Sequence, residues 1–574
     1  MRVTLINPTI RAEERPFFFP YGLGVIAACL RDAGHHVTVY DQNVFRTSNE
    51  QVVATLRESP PPDVLAVGGL ISTYGHLRQL LPLIREAFPD VPLVLGGGVT
   101  VRPDVVFARL PVDVCVVVEG EHTMLELCAA FAEGGRTFEK VPGIVFRRDG
   151  KLVWSEPRPL ERNLDVFPFP AYELFPTETY LEANALSGFT GLDVGQKRCA
   201  TLAWSRGCVN ECTFCWRMCG RTIRFRSLDL LMDELVFLRR EYGADSYFFT
   251  DECINASPRL ARDLARMLIE RDLVAPWYSC ARVTNFDDDL AAELARSGCV
   301  GLTFGMESGS PKILAEMKKN ATPQHATQAL AACHRHGIIP LCPFIIGMPS
   351  ETEETLRETI HFIKENRIEF FTFYFATPFP GSELFDWPDT QRRIREKFGT
   401  VESFFEAVGC LETLTLNLTK FTDEELIQWQ NDATLWAQPV YDRPYVAIPE
   451  ALTPRRALQP VLARAAEEGW RQVALYGAGL HTQRVLEEVD FGALNVAAII
   501  EDNETRWGES LCGVPIISPA DALAMQLDAV ILSSDRFESI LEKKAAPLQQ
   551  AGVPVLRLYG QHAPSEAVDA LIDD

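Results

Sequence analysis

The chain has 574 residues, 47% of them hydrophobic and 23% charged, with a formal net charge of −23. That length is too great for one core and predicts three or four domains, while the acidic balance argues against a large nucleic-acid partner, which needs a concentrated basic surface. No apolar run approaches the roughly 18 residues that span a bilayer, and the first residues lack the apolar stretch and cleavage site of a signal peptide; a cytoplasmic protein without a membrane span is expected.

In chain order, residues 1–150 alternate strand and helix. Residues 3–6, 37–40, 64–67, 93–95 and 114–117 are short β-branched or apolar runs of the kind buried in parallel sheets. Helices are expected between them, as at 23–33 and 77–87. The pattern predicts an open, doubly wound, Rossmann-like α/β domain. Its strands end in Gly68-Gly69, Gly96-Gly97-Gly98 and Glu119-Gly120-Glu121. Ligands in such sheets bind at the carboxyl ends of the strands, where glycine lets a flat molecule approach the backbone.

Residues 151–198 are Pro-rich and irregular and read as a linker wrapped on the surface. A second alternation over 199–385 suggests strands at 200–204, 246–250, 278–281, 300–305, 338–346 and 370–375, with amphipathic helices such as 228–240 and 260–271 between them. Six βα units, fewer than the eight of a full barrel, predict a partial (β/α)6 TIM-like barrel. Residues 386–454 are mixed and partly helical. A third, Rossmann-like α/β unit is expected over 455–574, opening with Tyr476-Gly477-Ala478-Gly479-Leu480 and followed by the strand end Glu501-Asp502-Asn503. That is half of a dinucleotide fingerprint, for the third glycine position is Thr482. The loop could hold phosphate at a helix N-terminus or simply form a tight turn; a docking or structural role is preferred over redox use of NAD.

Fifteen scattered cysteines are not a disulfide framework. Most, such as Cys29, Cys128 and Cys333, lie in apolar stretches as small core residues. Only Cys208, Cys212 and Cys215 have ligand spacing, directly after the first barrel strand, where Gly207 and Asn210 favour a loop over a helix. Three close thiolates can hold three irons of a cubane and leave the fourth open. Two other readings stand beside this one: a zinc site completed by Cys219, or three core thiols. A short basic stretch at Arg217, Arg221, Arg224 and Arg226 suits an anionic small substrate or a cofactor phosphate. Polar residues end the barrel strands: Asp251-Glu252, Arg282 and Glu307-Ser308. Polar groups at that end of a barrel read as an active site, although each alone would be an ordinary cap or surface pair.

The string Ser205-Arg206-Gly207-Cys208…Cys212-Thr213-Phe214-Cys215-Trp216 resembles the CxxxCxxC signature of radical S-adenosylmethionine (SAM) enzymes. The resemblance implies a [4Fe–4S] cluster on Cys208, Cys212 and Cys215 whose open iron is chelated by SAM, and an electron donor such as flavodoxin or ferredoxin. Cleavage of SAM then yields a 5′-deoxyadenosyl radical. Phe214 would lie near the adenine. Asp251 or Glu252 would suit the α-ammonium and sulfonium, Arg282 the carboxylate, and Glu307, beside Ser308, the ribose diol.

Residues 1–150 resemble the cobalamin-binding domain that precedes the barrel in one radical SAM subgroup. The likeness rests on Asn7-Pro8, Pro20-Tyr21-Gly22-Leu23-Gly24, Gly69-Leu70-Ile71-Ser72-Thr73, Gly96-Gly97-Gly98 and Glu119-Gly120-Glu121. It implies a corrin pocket lined by Ser72, Thr73, Gly96, Gly97, Gly98, Glu119, Gly120 and Glu121. None of the ten histidines has an aspartate two positions before it, so the Asp-x-His-x-x-Gly motif that ligates cobalt from below is absent. A domain that binds nothing remains the alternative. The expected function is methylation of an unactivated carbon, or phosphorus, of a small molecule or peptide through methylcobalamin. The same cofactors could instead serve a rearrangement, cyclisation or ring contraction, and a sensor with a structural cluster is the reading from another class.

Overall fold

The computed structural model describes residues 1–574 except 11–15, 135–137, 193, 196, 217–218, 410, 438–453, 479–481, 484, 487–488, 503, 534–540, 543 and 559–574. Arg217, Gly479, Leu480 and Asn503, singled out in the sequence, lie outside the described residues. The chain divides into two compact units, Met1–Pro439 and Val440–Asp574. Among the described residues no helix is long and apolar enough to cross a membrane.

In the first unit the short apolar runs pair as expected. Strands β1 (Arg2–Asn7), β2 (His36–Asp41), β3 (Val64–Gly68), β4 (Leu93–Gly96) and β5 (Val114–Val116) lie in the order β2-β1-β3-β4-β5 and are all parallel. The antiparallel strands β6 (Ile144–Arg148) and β7 (Lys151–Trp154) extend this sheet. They are joined by Asp149-Gly150, both at positive φ, a two-residue turn whose twist matches that of its strands. The boundary drawn at 150 therefore cuts a hairpin.

The stretch expected to wrap the surface does otherwise. It forms helices Thr177–Glu182 and Ala185–Thr190 and buries Ala171, Tyr172, Phe175, Tyr180 and Leu186. The reason is electrostatic as well as apolar. Glu234, fully buried, pairs with Arg226 and accepts hydrogen bonds from Tyr172 (2.6 Å) and Tyr21 (3.0 Å). A buried carboxylate needs all of these partners, so the segment is held in the interior between the first helix and the barrel.

The barrel sheet contains β8 (Cys199–Leu202), then, after a small hairpin of β9 (Ser205–Arg206) and β10 (Arg224–Phe225), β11 (Ser246–Phe249), β12 (Trp277–Ala281), β13 (Cys299–Phe304), β14 (Ile339–Ile346) and β15 (Phe370–Phe375). All six strands of this sheet are parallel and follow one another in chain order, the connectivity of a (β/α)6 partial barrel. The helices between them start at Ser227, Ser257, Asp287, Thr322 and Thr352, whose side chains each accept a backbone N–H of the first turn. Cys199, Phe248 and Tyr278 pack with Leu186 and Leu192 of the preceding segment in a buried cluster of their own. The free edge of β15 is occupied: Phe375 donates its N–H to the Leu411 carbonyl (2.9 Å), and Gln430 Nε2 donates to the Phe373 carbonyl (2.8 Å).

The second unit has its own cores, around Val473, Leu475 and Ile499 on one side of its sheet and Tyr476, Val530 and Leu532 on the other. Its strands β16 (Gln472–Tyr476), β17 (Asn495–Ile500), β18 (Ser510–Leu511), β19 (Val514–Ile517), β20 (Ala529–Leu532) and β21 (Val555–Arg557) lie in the order β18-β19-β17-β16-β20-β21. Without the short β18 this is the doubly wound order 3-2-1-4-5. Thr482, standing where a third glycine was sought, is buried, and its hydroxyl bonds the Gly477 carbonyl and the Ser533 carbonyl. Glu501 accepts the Ala478 N–H (3.0 Å), and Asp502 accepts from the Tyr476 hydroxyl (2.9 Å) and Lys544 (2.8 Å). The acids that would meet a ribose thus have protein partners.

Candidate active site

Gly207 opens the cluster loop at φ 94°, and a Cβ there would strike the Thr222 carbonyl; only glycine makes this turn without strain. The loop is anchored through Thr213, which is fully buried: its N–H donates to the Met317 carbonyl (3.0 Å), and its carbonyl accepts from Leu384 N–H (2.7 Å). No helix forms between Gly207 and Trp216.

The three thiols share one electrostatic environment. Cys212 is raised above the usual thiol range by burial, helped by Glu307 and Cys208 and opposed by Lys319 and Arg282. Cys215, at the exposed rim, is pushed up to about 12 by the protein packed around it, then by Cys212, Glu252 and Cys208. Asn210 Nδ2 donates to the Cys208 sulfur (3.2 Å). Cys208 and Cys212 both act on Cys215 through space, and a polycationic centre would favour the thiolate form of all three, so the donor set fits an iron–sulfur cluster. Cys219 belongs elsewhere: its neighbours are Glu252, Arg206, Glu119 and Arg224, and its carbonyl accepts from Arg224 (3.0 Å). Among the described residues no three sulfur, imidazole or carboxylate groups converge on a single-ion position. The four-thiolate zinc reading loses its fourth ligand.

Lys319, which sequence reading passed over, stands at the centre of the residues proposed for SAM. Its ammonium pairs with Glu307 (2.8 Å) and lies 5.8 Å from the centre of the Phe214 ring. Burial works against its charge, but Glu307 and the Cys212 sulfur outweigh it and leave the pKa above the ordinary lysine value. Arg282 Nη2 donates to the Lys319 carbonyl (2.9 Å). Glu307 adopts φ 65°, an uncommon conformation for a residue with a side chain. Bonds from its N–H to the Pro343 carbonyl and from Ile345 N–H to its own carbonyl hold it there. Such strain, held by surrounding structure, is typical of working sites.

Phe214, Glu252, Arg282 and Glu307 thus gather around the thiols, whereas two other candidates turn away. Asp251 is buried and accepts from Ser205 and from Trp204 N–H (3.3 Å); burial pushes its carboxyl up to about 6. The Ser308 hydroxyl bonds Thr359 (3.0 Å) and accepts Ser310 N–H (3.0 Å). Both act as staples between elements.

The carboxyl edge of the first sheet is open where β3, β4 and β5 end: Gly97, Leu70 and Val118 are exposed, and Gly68, Gly69, Gly96 and Ser72 are half-buried. A flat macrocycle fits an edge so poor in side chains. Thr73 is buried and bonds the Leu70 carbonyl (2.7 Å). Gly97 lets the Gly69 backbone approach, since a Cβ there would lie 2.6 Å from the Gly69 carbonyl oxygen. Gly98 receives Trp216, whose ring atoms would lie 2.8 Å from an added Cβ; Gly381 flanks the same indole at 2.6 Å. Glu119 and Glu121 spend their carboxylates on the cluster loop: Arg206 pairs with both (3.3 and 2.6 Å), and Arg224 pairs with Glu119 (2.8 Å). Val118, at φ 74°, turns the chain toward these partners, and Gly120 makes room for Ile26. Arg206, Thr213 and Trp216 stood in the signature string, but the contacts that give them their roles were not foreseen there.

Residues 202–363 match the model of the Radical SAM superfamily, residues 9–128 that of the B12 binding domain, and residues 469–552 that of a family described as C2185-like, N-terminal. An uncharacterised methyltransferase of Pyrococcus horikoshii is 30% identical over 372 residues, 64% of this chain and 78% of the relative. The cytidylyl-2-hydroxyethylphosphonate methyltransferase of Streptomyces wedmorensis is 30% identical over 444 residues, 67% of this chain and 80% of the relative. Among solved structures, the radical SAM methyltransferase TsrM of Kitasatospora setae, with cobalamin and a [4Fe–4S] cluster bound, shares the fold at TM-score 0.57 and 21% identity over 67% of this chain and 76% of that one. With a cysteine loop whose chemistry suits an iron–sulfur cluster, an open glycine edge beside it, and a family model matched over each, the chain belongs to the cobalamin-dependent radical SAM enzymes, whose cofactors are the [4Fe–4S] cluster, SAM and cobalamin.

Proposed function

We propose that this chain methylates an unactivated carbon, or a phosphorus, of a small-molecule or peptide substrate. When bound, the cluster would supply the electron that cleaves SAM to a 5′-deoxyadenosyl radical, and the corrin would carry the methyl group. Cys208, Cys212 and Cys215 would hold the cluster and leave one iron open. Phe214 would stack near the adenine, Glu307 would take the ribose diol, Arg282 the carboxylate of SAM, and Glu252 its ammonium. Lys319, paired with Glu307, would hold that carboxylate in place. The first sheet, through its hairpin strand β7, would serve as the cobalamin domain and residues 199–385 as the radical SAM barrel, with Ser72, Gly96 and Gly97 lining the corrin site. Reduction by a flavodoxin or ferredoxin, a cytoplasmic location and the lack of a nucleic-acid partner belong to the same proposal.

The observation that supports it most is the double tie between the two sites: Arg206, next but one before Cys208, grips Glu119 and Glu121, and Trp216, next after Cys215, packs on Gly98. These contacts hold cluster loop and glycine edge next to each other, which supports a reading in which radical formation and methyl delivery meet at one carbon. The test is anaerobic reconstitution with iron, sulfide and hydroxocobalamin, followed by dithionite and SAM. Cluster and corrin absorption together, with 5′-deoxyadenosine released, are expected. With a substrate, S-adenosylhomocysteine should accompany it. Loss of the corrin on desalting would remove methylation, corrin without S-adenosylhomocysteine would favour a rearrangement, and no 5′-deoxyadenosine at all would leave a sensor.

A further inference from the structure

Lys318 and Lys319 are neighbours in sequence yet serve opposite sides of the chain. The short helix Pro311–Glu316 runs out into Lys318 at φ 51°; Lys319 N–H bonds back to the Leu314 carbonyl (3.0 Å) and Lys318 N–H to the Ala315 carbonyl (3.1 Å). That pair of bonds around a left-handed residue is a Schellman turn, which closes the helix and turns the chain. Lys318 is left outside on Glu383 (2.7 Å), and Lys319 is carried inward, its side chain only 13% exposed. The same turn is laced to the cluster loop, because Thr213 N–H donates to the Met317 carbonyl and the Thr213 hydroxyl to the Glu316 carbonyl (3.3 Å). Lys319 thus enters beside the stretch between Cys212 and Cys215, with its ammonium 5.8 Å from the Phe214 ring centre. Gly305, just past β13, keeps the space for it: an added Cβ would lie 2.9 Å from Lys319 Nζ and 2.6 Å from Glu307 Oε1.

We propose that Lys319 tunes electron uptake by the cluster: its buried ammonium lies beside the cysteine loop and raises the potential at which the cluster accepts one electron. The inference rests on the reading of Cys208, Cys212 and Cys215 as the cluster's ligands. Reduction takes the cluster from its 2+ to its 1+ state. The electron comes from a low-potential donor and no proton moves at Lys319, so a negative charge is added where three thiolates already stand. Such potentials respond to charge and to solvent exposure, and a charge shielded from water acts over a longer distance than an exposed one. Burial raises the Cys212 and Cys215 thiols; of the charges acting on Cys212, Lys319 opposes that rise most, ahead of Arg282, and it opposes the rise at Cys215 too. Glu307 acts on Cys212 in the other sense and less strongly, so the ammonium is the end of the ion pair that dominates at the loop. Glu252 adds negative charge at Cys215, and Lys319 offsets these acids from the interior.

The experiment is a redox titration of the full chain, reconstituted anaerobically with iron and sulfide in the absence of SAM, with the reduced cluster measured by electron paramagnetic resonance. Lys319→Met should hold roughly tenfold less reduced cluster at a given potential, a midpoint lower by about 59 mV for one electron. Lys319→Arg should stay close to wild type. Glu307→Gln, which cuts the same pair from its acidic side, should move the midpoint upward. A Lys319→Met midpoint at or above that of wild type would overturn the proposal. So would shifts of one sign in Lys319→Met and Glu307→Gln, because a merely structural disturbance ignores the sign of the charge removed. Should Lys319→Met take up no cluster, Glu307→Gln decides alone, and a midpoint that fails to rise overturns the proposal. Iron and sulfide content of the wild type keeps the two ideas apart: no cluster sinks the assignment of the three cysteines, whereas a full cluster with the same midpoint in every variant sinks the role of Lys319 alone.

Discussion

Lys319 shows what a linear reading misses. The cysteines were legible because their spacing is itself the signal, and Glu307 and Arg282 because they end strands. Lys319 follows a short helix in a Lys318-Lys319 pair that reads as surface charge, and only the fold brings it onto Glu307. Conversely, the Asp251 carboxylate and the Ser308 hydroxyl looked functional by position and are spent on neighbouring backbone and side chains. Removing one member of a largely buried pair strands the other, at a cost of about 3–5 kcal/mol. Lys319→Met should therefore destabilise the first unit by that order in denaturant titration, and adding Glu307→Gln should recover much of it. Additive losses would mean that the two side chains do not interact. Glu351 gives a pH prediction. Burial, with a smaller push from Glu316, raises its carboxyl from 4.5 to about 7, against hydrogen bonds from Thr355 and Gly347. The native state then binds more protons than the unfolded chain between those values, so its contribution to stability falls as pH rises from 4.5 to 7, by about 3 kcal/mol in total. Glu351→Gln should abolish that slope. Denaturation midpoints of the two proteins at pH 5 and pH 8 check this, and a difference that does not grow with pH would refute it.

Helices and strands were legible to the extent that their stabilisation is local. Apolar runs separated by amphipathic stretches placed the barrel elements. The hairpin at Asp149-Gly150 carried a strong local signal that the adjacent prolines obscured. The segment after it was misread for a physical reason: prolines and aromatics do not say whether they face water or a buried carboxylate far along the chain. Glu234 decides that question by drawing Tyr172 and Tyr21 to itself. Glu234→Ala should cost about 3–5 kcal/mol, because Arg226 would be left buried and unpaired. Glu396→Ala, which breaks an exposed pair with Arg392, should cost under about 1 kcal/mol. Thermal melts of the two variants give the contrast, and equal shifts would mean that the buried pair does not hold the segment in.

At the scale of the whole molecule, strand–helix alternation predicted three α/β regions, and each sheet emerged parallel in its main part. Which sheets share a compact unit was not legible, since that depends on contacts such as Arg206 with Glu119 that join residues far apart in sequence. The apolar cores of residues 458–558 are separate from those of the first unit. A chain ending at Pro439 should therefore keep the first calorimetric transition of the full protein, and residues 455–574 alone should melt cooperatively. A single transition that vanishes on truncation would contradict this. The indole of Trp216 has a consequence of another kind. Because it fills the space above both Gly98 and Gly381, those three positions are tied in descent. A lineage can enlarge either glycine only after trimming the tryptophan, and one that trims the tryptophan first opens a void beside the cluster loop. Relatives should exchange the trio together or keep it intact.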